Sequence, residues 1–363
     1  MSGSLKKLNL ITVGFVDFNY DHVEWIFRDH FNFKSFDPRA TYNKETDVLV
    51  TSRPFQWNET NKQMSDTIQK NVLDKGVRVI LADLWEARPY FSPVNDLAPY
   101  SDNVLVMLGC KNSLDTGWHH YLDVPNWFWY NEHLMYTYDW RCKGYQTYKP
   151  NRKREKLFLM PMHRAKLFRN EVRERFEPLL DDSIWSYVQS WDNGCALPRF
   201  TKSDVEQFMP DRIFESEWYD QTCFTLAVET AVDRQFNVQE EIEGLRKEAH
   251  PCELFVTEKT YKPIAFRHPF QVIGMKGTLD FLHDIGFETY ENIFDESYDS
   301  LDFFHDRMDV IYKNCEHFNK NTYLNSITEQ KLEHNYQRFY NRQLVLDGVK
   351  QDVIEPLLEW INQ

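Results

Sequence analysis

Three consecutive residues in the C-terminal half carry the most pointed chemistry in the chain: Thr257, Glu258 and Lys259. A hydroxyl followed by a carboxylate, just before a helical stretch, suits an N-cap and the positive end of a helix dipole. Lys259 and Lys262 fall one turn apart and so can face one ligand. An ammonium beside the free N–H groups of a helix start can neutralise a diphosphate. The neighbouring carboxylate can accept hydrogen bonds from ribose hydroxyls. The same spacing also suits a capped surface helix with an ordinary ion pair, and spacing alone leaves both readings open.

The elements that must position these residues follow a repeating pattern. Short β-branched or apolar runs predict strands at Leu8 to Phe15, Asp47 to Thr51, Val77 to Asp83, Asn103 to Leu108 and Val124 to Tyr130. Helical spacing fills His22 to Phe31 and Asn61 to Lys75. A polar, basic stretch, Lys149 to Lys156, has the composition of a linker. Beyond it the pattern restarts. Strands are expected at Lys156 to Met160, Ile184 to Val188, Phe224 to Val228 and His268 to Ile273. Helices are expected at Ala165 to Leu180 and at Gly277 to Ile285, the latter closed by Gly286, with two more at Ile327 to Tyr340 and Lys350 to Ile361. Alternating strands and helices imply an α/β fold with parallel sheets. The expected organisation is two Rossmann-like domains facing across a cleft, residues 1–150 and 151–340, with a C-terminal helix at 341–363 packing back on the first. Ligands in such sheets bind beyond the carboxyl ends of the strands.

Composition narrows the function classes. The 363 residues exceed the size at which one core usually divides. The formal charge of −14 argues against general duplex binding, which relies on basic surface. Six scattered cysteines make no CxxC pair, so neither a zinc site nor a disulfide framework is suggested and a reducing, cytoplasmic setting fits. No run of about 18 apolar residues occurs, so no membrane span is expected.

The stretch Phe224 to Thr230 (FTLAVET), followed by FVTEKTYKPIAFRHPFQVIG, resembles the donor-binding signature of the α-1,3-fucosyltransferases. The chain is more similar still to a set of virus- and phage-encoded glycosyltransferases. They share the Glu258 to Ile264 element, the His268 to Phe270 strand, the Leu279 to Phe287 helix end and the closing Asp295 to Asp299. This resemblance spans roughly the C-terminal half. It implies the two-domain B-type glycosyltransferase fold and a nucleotide-sugar co-substrate, a UDP- or GDP-sugar. It matches Glu258 and Lys259 to the family's donor-contacting pair, and puts Tyr261 near the base or ribose. Glu229 matches the acidic residue of the family's Phe-Glu-Asn element, with Thr230 replacing the asparagine. The segment from Asp233 to Pro251 is longer than the family spacing, so fucose itself does not follow. An arginine for the donor phosphates is expected at the start of the second domain. Arg164, at a strand end and a helix start, is favoured over Arg169.

An inverting transfer needs a carboxylate near the acceptor hydroxyl. Asp83 and Glu86, after the third strand, are the first candidates, and Asp17 and Asp21 the next. His163 and His268 read as packed or capping residues. Asp295, Glu296, Tyr298 and Asp299 form an acidic loop that suits either a metal or a capped turn. No Asp-x-Asp triplet occurs in the chain, which fits a reaction that needs no divalent metal. The acceptor stays open between a glycan and a hydroxymethylated base of viral DNA. So does the rival reading, a non-catalytic nucleotide- or sugar-binding protein on the same fold.

Overall fold

A computed structural model describes residues 8–12, 30–37, 39–51, 70–83, 102–108, 111–112, 120–124, 154–164, 167–188, 216–230, 232, 252–321 and 323–363. The chain divides into two compact units, residues 1–128 with 343–363, and residues 129–342.

The first unit is built on a six-stranded sheet. Its strands are β1 (Leu8–Thr12), β2 (Phe31–Ser35), β3 (Asp47–Thr51), β4 (Arg78–Asp83), β5 (Val104–Leu108) and β6 (His120–Asp123). They run in the order β2-β1-β3-β4-β5-β6, and every pair is parallel. The central strands are apolar on both faces, with Leu49, Ile80 and Val106 buried, as a parallel sheet covered on both sides requires. The chain returns to this unit at its end. There Trp360 lies 5.7 Å beneath the Arg78 guanidinium and 6.1 Å from the His120 ring.

The second unit carries a four-stranded parallel sheet. Its strands are β7 (Lys156–Arg164), β8 (Ile184–Val188), β9 (Thr222–Val228) and β10 (Phe270–Ile273), in the order β10-β9-β7-β8. Sequence order therefore reverses between β7 and β9, the place where such sheets open a crevice. All seven residues of β9 are buried. Much of the aromatic content goes into this core: Phe224 meets Phe158 at 5.9 Å, Phe294 at 5.1 Å and Phe318 at 4.8 Å. Around the sheet lie α1 (Leu167–Leu180), α2 (Ser216–Gln221), α3 (Glu258–Ala265), α4 (Thr278–Asp284), α5 (Phe304–Glu316) and α6 (Ser326–Phe339). The tail follows as α7 (Arg342–Val349), a π-turn at Lys350–Ile354 and α8 (Glu355–Asn362).

Several local expectations change. Phe31, read as the end of a helix, opens β2, because Phe31 is buried and pairs with Leu8 in the sheet. Among the described residues the first sheet also has β6, which the sequence pattern does not predict; of the strand expected at Val124 to Tyr130, residues 125–130 lie outside the described part. The stretch expected as a helix, Lys350 to Ile361, is helical throughout, but it opens as a π-turn that joins α7 to α8, with Pro356 in the first turn of α8. Helix α5 had no counterpart in the sequence reading. The stretch Lys149 to Lys153, where the linker is expected, lies outside the described residues.

Candidate functional site

The corner between β9 and α3 is assembled from residues that are distant in sequence. Thr257, in extended backbone, caps α3, and its hydroxyl accepts from the Lys259 N–H at 3.4 Å. Every residue of α3 except Lys259 is buried. The Lys259 side chain keeps 15% of its surface exposed. Its ammonium donates to Glu258 Oε1 at 2.8 Å and to the hydroxyls of Thr230 and Thr257, each at 3.2 Å. The corner therefore presents one partly open cation at a helix start whose cap is a neutral hydroxyl. That arrangement places an ammonium at the positive end of the helix dipole, where an anion binds most readily.

Glu229 follows the last residue of β9 and is 0% exposed. Its Oε1 accepts from the Thr257 N–H at 3.0 Å and the Thr260 hydroxyl at 2.6 Å. Its Oε2 accepts from the Thr257 hydroxyl at 2.5 Å and the Thr230 N–H at 3.3 Å. Its main chain is fixed as well, since Glu229 N–H donates to Ile273 O at 2.9 Å and Arg169 Nη2 donates to Glu229 O at 3.2 Å. The alternative phosphate arginine, Arg169, is thus a buried brace of the strand end. Arg164, the favoured one, is the last residue of β7, beside β9 in the sheet, and its side chain lies outside the described part.

The other candidates fall as follows. Glu258 is buried against Lys259. Tyr261, expected near a base or ribose, has 0% exposure, with its ring 6.4 Å from both Phe287 and Phe339, so its visible work is packing. Lys262 is buried on the same helix. Asp83 ends β4, with its side chain outside the described part, and Glu86, Asp17, Asp21 and residues 233–251 lie outside it altogether. His268 is a packed residue, its ring nitrogens at 2.8 Å from the Thr225 hydroxyl and 2.9 Å from Thr222 O. Burial, with Arg154 nearby, holds its pKa well below the ordinary histidine value.

The acidic loop is a set of backbone caps. Asp295 accepts from Ser297 N–H at 3.0 Å, and Glu296 from Tyr290 N–H and the Thr289 hydroxyl, both at 2.6 Å. Asp299 Oδ2 accepts from the first N–H groups of α4, Leu279 at 3.0 Å and Asp280 at 3.2 Å. Among the described residues no group of three or more His, Cys, Asp or Glu side chains is placed to hold a metal. No described helix is long and apolar enough to cross a membrane.

Sequence reasoning found the Thr-Glu-Lys corner because its capping signal is local. It missed the roles of Thr260, Arg169 and Asp299, whose partners lie 31, 60 and about 20 residues away.

No protein-family model and no curated protein matches the chain. Solved structures do. The crystal structure of an α1,3-fucosyltransferase with GDP-fucose aligns over 100% of this chain and 93% of that one, at 11% identity and a TM-score of 0.51. One with GDP aligns over 99% and 94%, at 11% identity and 0.49. The fold is therefore α/β of the two-domain B-type glycosyltransferase kind, and the parallel sheets of both units agree with it. At this identity the likeness is one of fold.

Proposed function

We propose that this chain is a glycosyltransferase that moves a sugar from a nucleotide-sugar donor to an acceptor hydroxyl, with inversion at the anomeric carbon. The observation that carries the reading is Lys259. It is a partly open cation at a hydroxyl-capped helix start, beside the carboxylate Glu258, at the end of β9 where the strand order reverses. The solved structure of like fold is described with GDP-fucose, which makes a GDP-sugar the first donor to test and a UDP-sugar the second.

In this reaction the acceptor oxygen attacks the anomeric carbon and its proton passes to a carboxylate, Asp83 or Glu86 being the candidates. The bond from that carbon to the diphosphate breaks. The charge left on the nucleoside diphosphate is met by Lys259, by Arg164 and by the N–H groups of α3. Lysine, arginine and helix dipole do here what a divalent ion does elsewhere, so turnover is expected to survive EDTA. The acceptor is a glycan hydroxyl or that of a hydroxymethylated base. The charge of −14 favours the glycan.

A thermal-shift panel of GDP, UDP and CDP tests the reading. One diphosphate should raise Tm, and Lys259→Ala should abolish both that rise and sugar transfer while keeping the parent's Tm without ligand. A folded Lys259→Ala variant with full transfer activity contradicts the proposal. A donor that is bound but never turned over would place the chain among binding proteins instead.

A further inference from the structure

We infer that Glu229 is a positioning residue: its buried carboxylate holds the first turn of α3, and through the Thr257 hydroxyl the Lys259 ammonium, in place for an anionic ligand that Glu229 itself never touches. The inference deepens the donor-site reading and rests on it only for the ligand arm of its test.

Three observations carry it. First, Glu229 has no exposed surface, so contact with a donor is closed to it. Second, each carboxylate oxygen faces one backbone N–H, Thr257 on Oε1 and Thr230 on Oε2. A backbone N–H cannot reverse its role, so the pocket demands acceptors on both sides. Third, the Thr257 hydroxyl has a single proton, and it lies 2.5 Å from Glu229 Oε2. An ammonium can only donate. The hydroxyl must therefore give its proton to Glu229 and turn its lone pairs to the Lys259 backbone N–H and to Nζ. The result is a one-way relay of hydrogen bonds, Lys259 to Thr257 to Glu229.

The anchor itself is held through its main chain. Arg169 and Ile273 fix the Glu229 main chain. Gly274 leaves room beside it, since a Cβ there would stand 3.5 Å from Glu229 Cγ, 3.2 Å from Thr278 Oγ1 and only 3.0 Å from Val272 Cγ1. The relay thus transmits the position of a strand end to a side chain at the mouth of the helix.

The test has two arms. In the first, with no ligand, the protein is acetylated with acetic anhydride at pH 8 and Lys259 is read by mass spectrometry against Lys276, a half-exposed lysine paired with Asp302. Glu229→Gln keeps the shape but sets an NH2 against one of the two backbone N–H groups. Lys259 should then label about threefold faster or more, with Lys276 unchanged. In the second arm, the Kd for GDP, or for UDP if GDP does not bind, should rise about tenfold or more. If Glu229→Gln does not fold, Thr257→Val cuts the same relay and should give both effects, and Thr257→Ser should restore the parent's behaviour. Unchanged Lys259 labelling in a folded variant overturns the inference, as does an unchanged Kd. If the parent binds neither nucleotide, the donor-site reading falls, and the labelling arm still decides the role of Glu229.

Discussion

Two helices of the second unit begin beside the ends of β9 and β10, and their first N–H groups find different acceptors. Helix α3 is capped by the Thr257 hydroxyl and carries Lys259 in its first turn. Helix α4 is capped by the Asp299 carboxylate, which takes two of its N–H groups. The positive end of α4 is thus already neutralised by the protein's own anion. At the start of α3 the protein also supplies carboxylates, Glu229 on the Thr257 N–H and Glu258 on the Lys259 ammonium, but the Lys259 N–H goes to the neutral Thr257 hydroxyl and a partly open ammonium stands beside it. A helix start with an ammonium in its first turn suits an outside anion better than one whose first turn carries an acid, as α4 does at Asp280. The contrast separates the two ends more sharply than their position in the sheet does.

The largest predicted effect lies on the α3 side. Glu229→Gln should destabilise the second unit by about 3 kcal/mol, because an amide cannot satisfy a backbone N–H on both sides of a buried site. Urea unfolding measures it, and a loss below about 1 kcal/mol would show that the four contacts are dispensable. Next come the two ends of α4. Gly286 has φ of +82°, and a Cβ there would sit 2.4 Å from the Arg338 guanidinium, which is held by Ile285 O. Gly286→Ala should therefore cost about 1–2 kcal/mol in the same titration. Asp299→Ala removes the cap and should cost about 1 kcal/mol.

The smallest effect is a pH dependence. Burial raises the pKa of Glu296 above its ordinary 4.5, so the folded state binds the proton more readily than the unfolded one. Its contribution is full below that value and is lost as pH rises through the folded pKa. Among the described residues Glu296 faces one backbone N–H, that of Tyr290, and its second partner is a hydroxyl that can accept. Glu296→Gln should therefore fold, and its Tm should gain on the parent's as pH rises above 4.5. A Tm difference that is flat with pH would remove Glu296 as the source.

How much of this could be read from the residues depended on the range of each signal. Local signals were legible. The cap at Thr257, the apolar run of β9 and the glycine closing α4 all act within a few positions, and the structure has each of them. Long-range pairings were not. Glu229 has the sequence of a site residue, and only folding brings Thr257 and Thr260 over it. Asp299 reads as part of an acidic loop until α4 is seen beneath it. Arg267 gives no signal at all for its left-handed backbone, φ 48°, which is held by the Tyr336 ring 3.6 Å away and by Glu333 at 2.8 Å. In β2 the spacing of Phe31 and Phe33 suits a strand, but the preceding helical pattern ran over it.

The central claim, that α3 and not α4 receives the diphosphate, is tested most directly by calorimetric titration of GDP into three proteins: the parent, Lys259→Ala and Asp299→Ala. The account predicts that affinity falls by about tenfold or more in Lys259→Ala and stays at the parent's value in Asp299→Ala. Equal binding by the parent and a folded Lys259→Ala would contradict it.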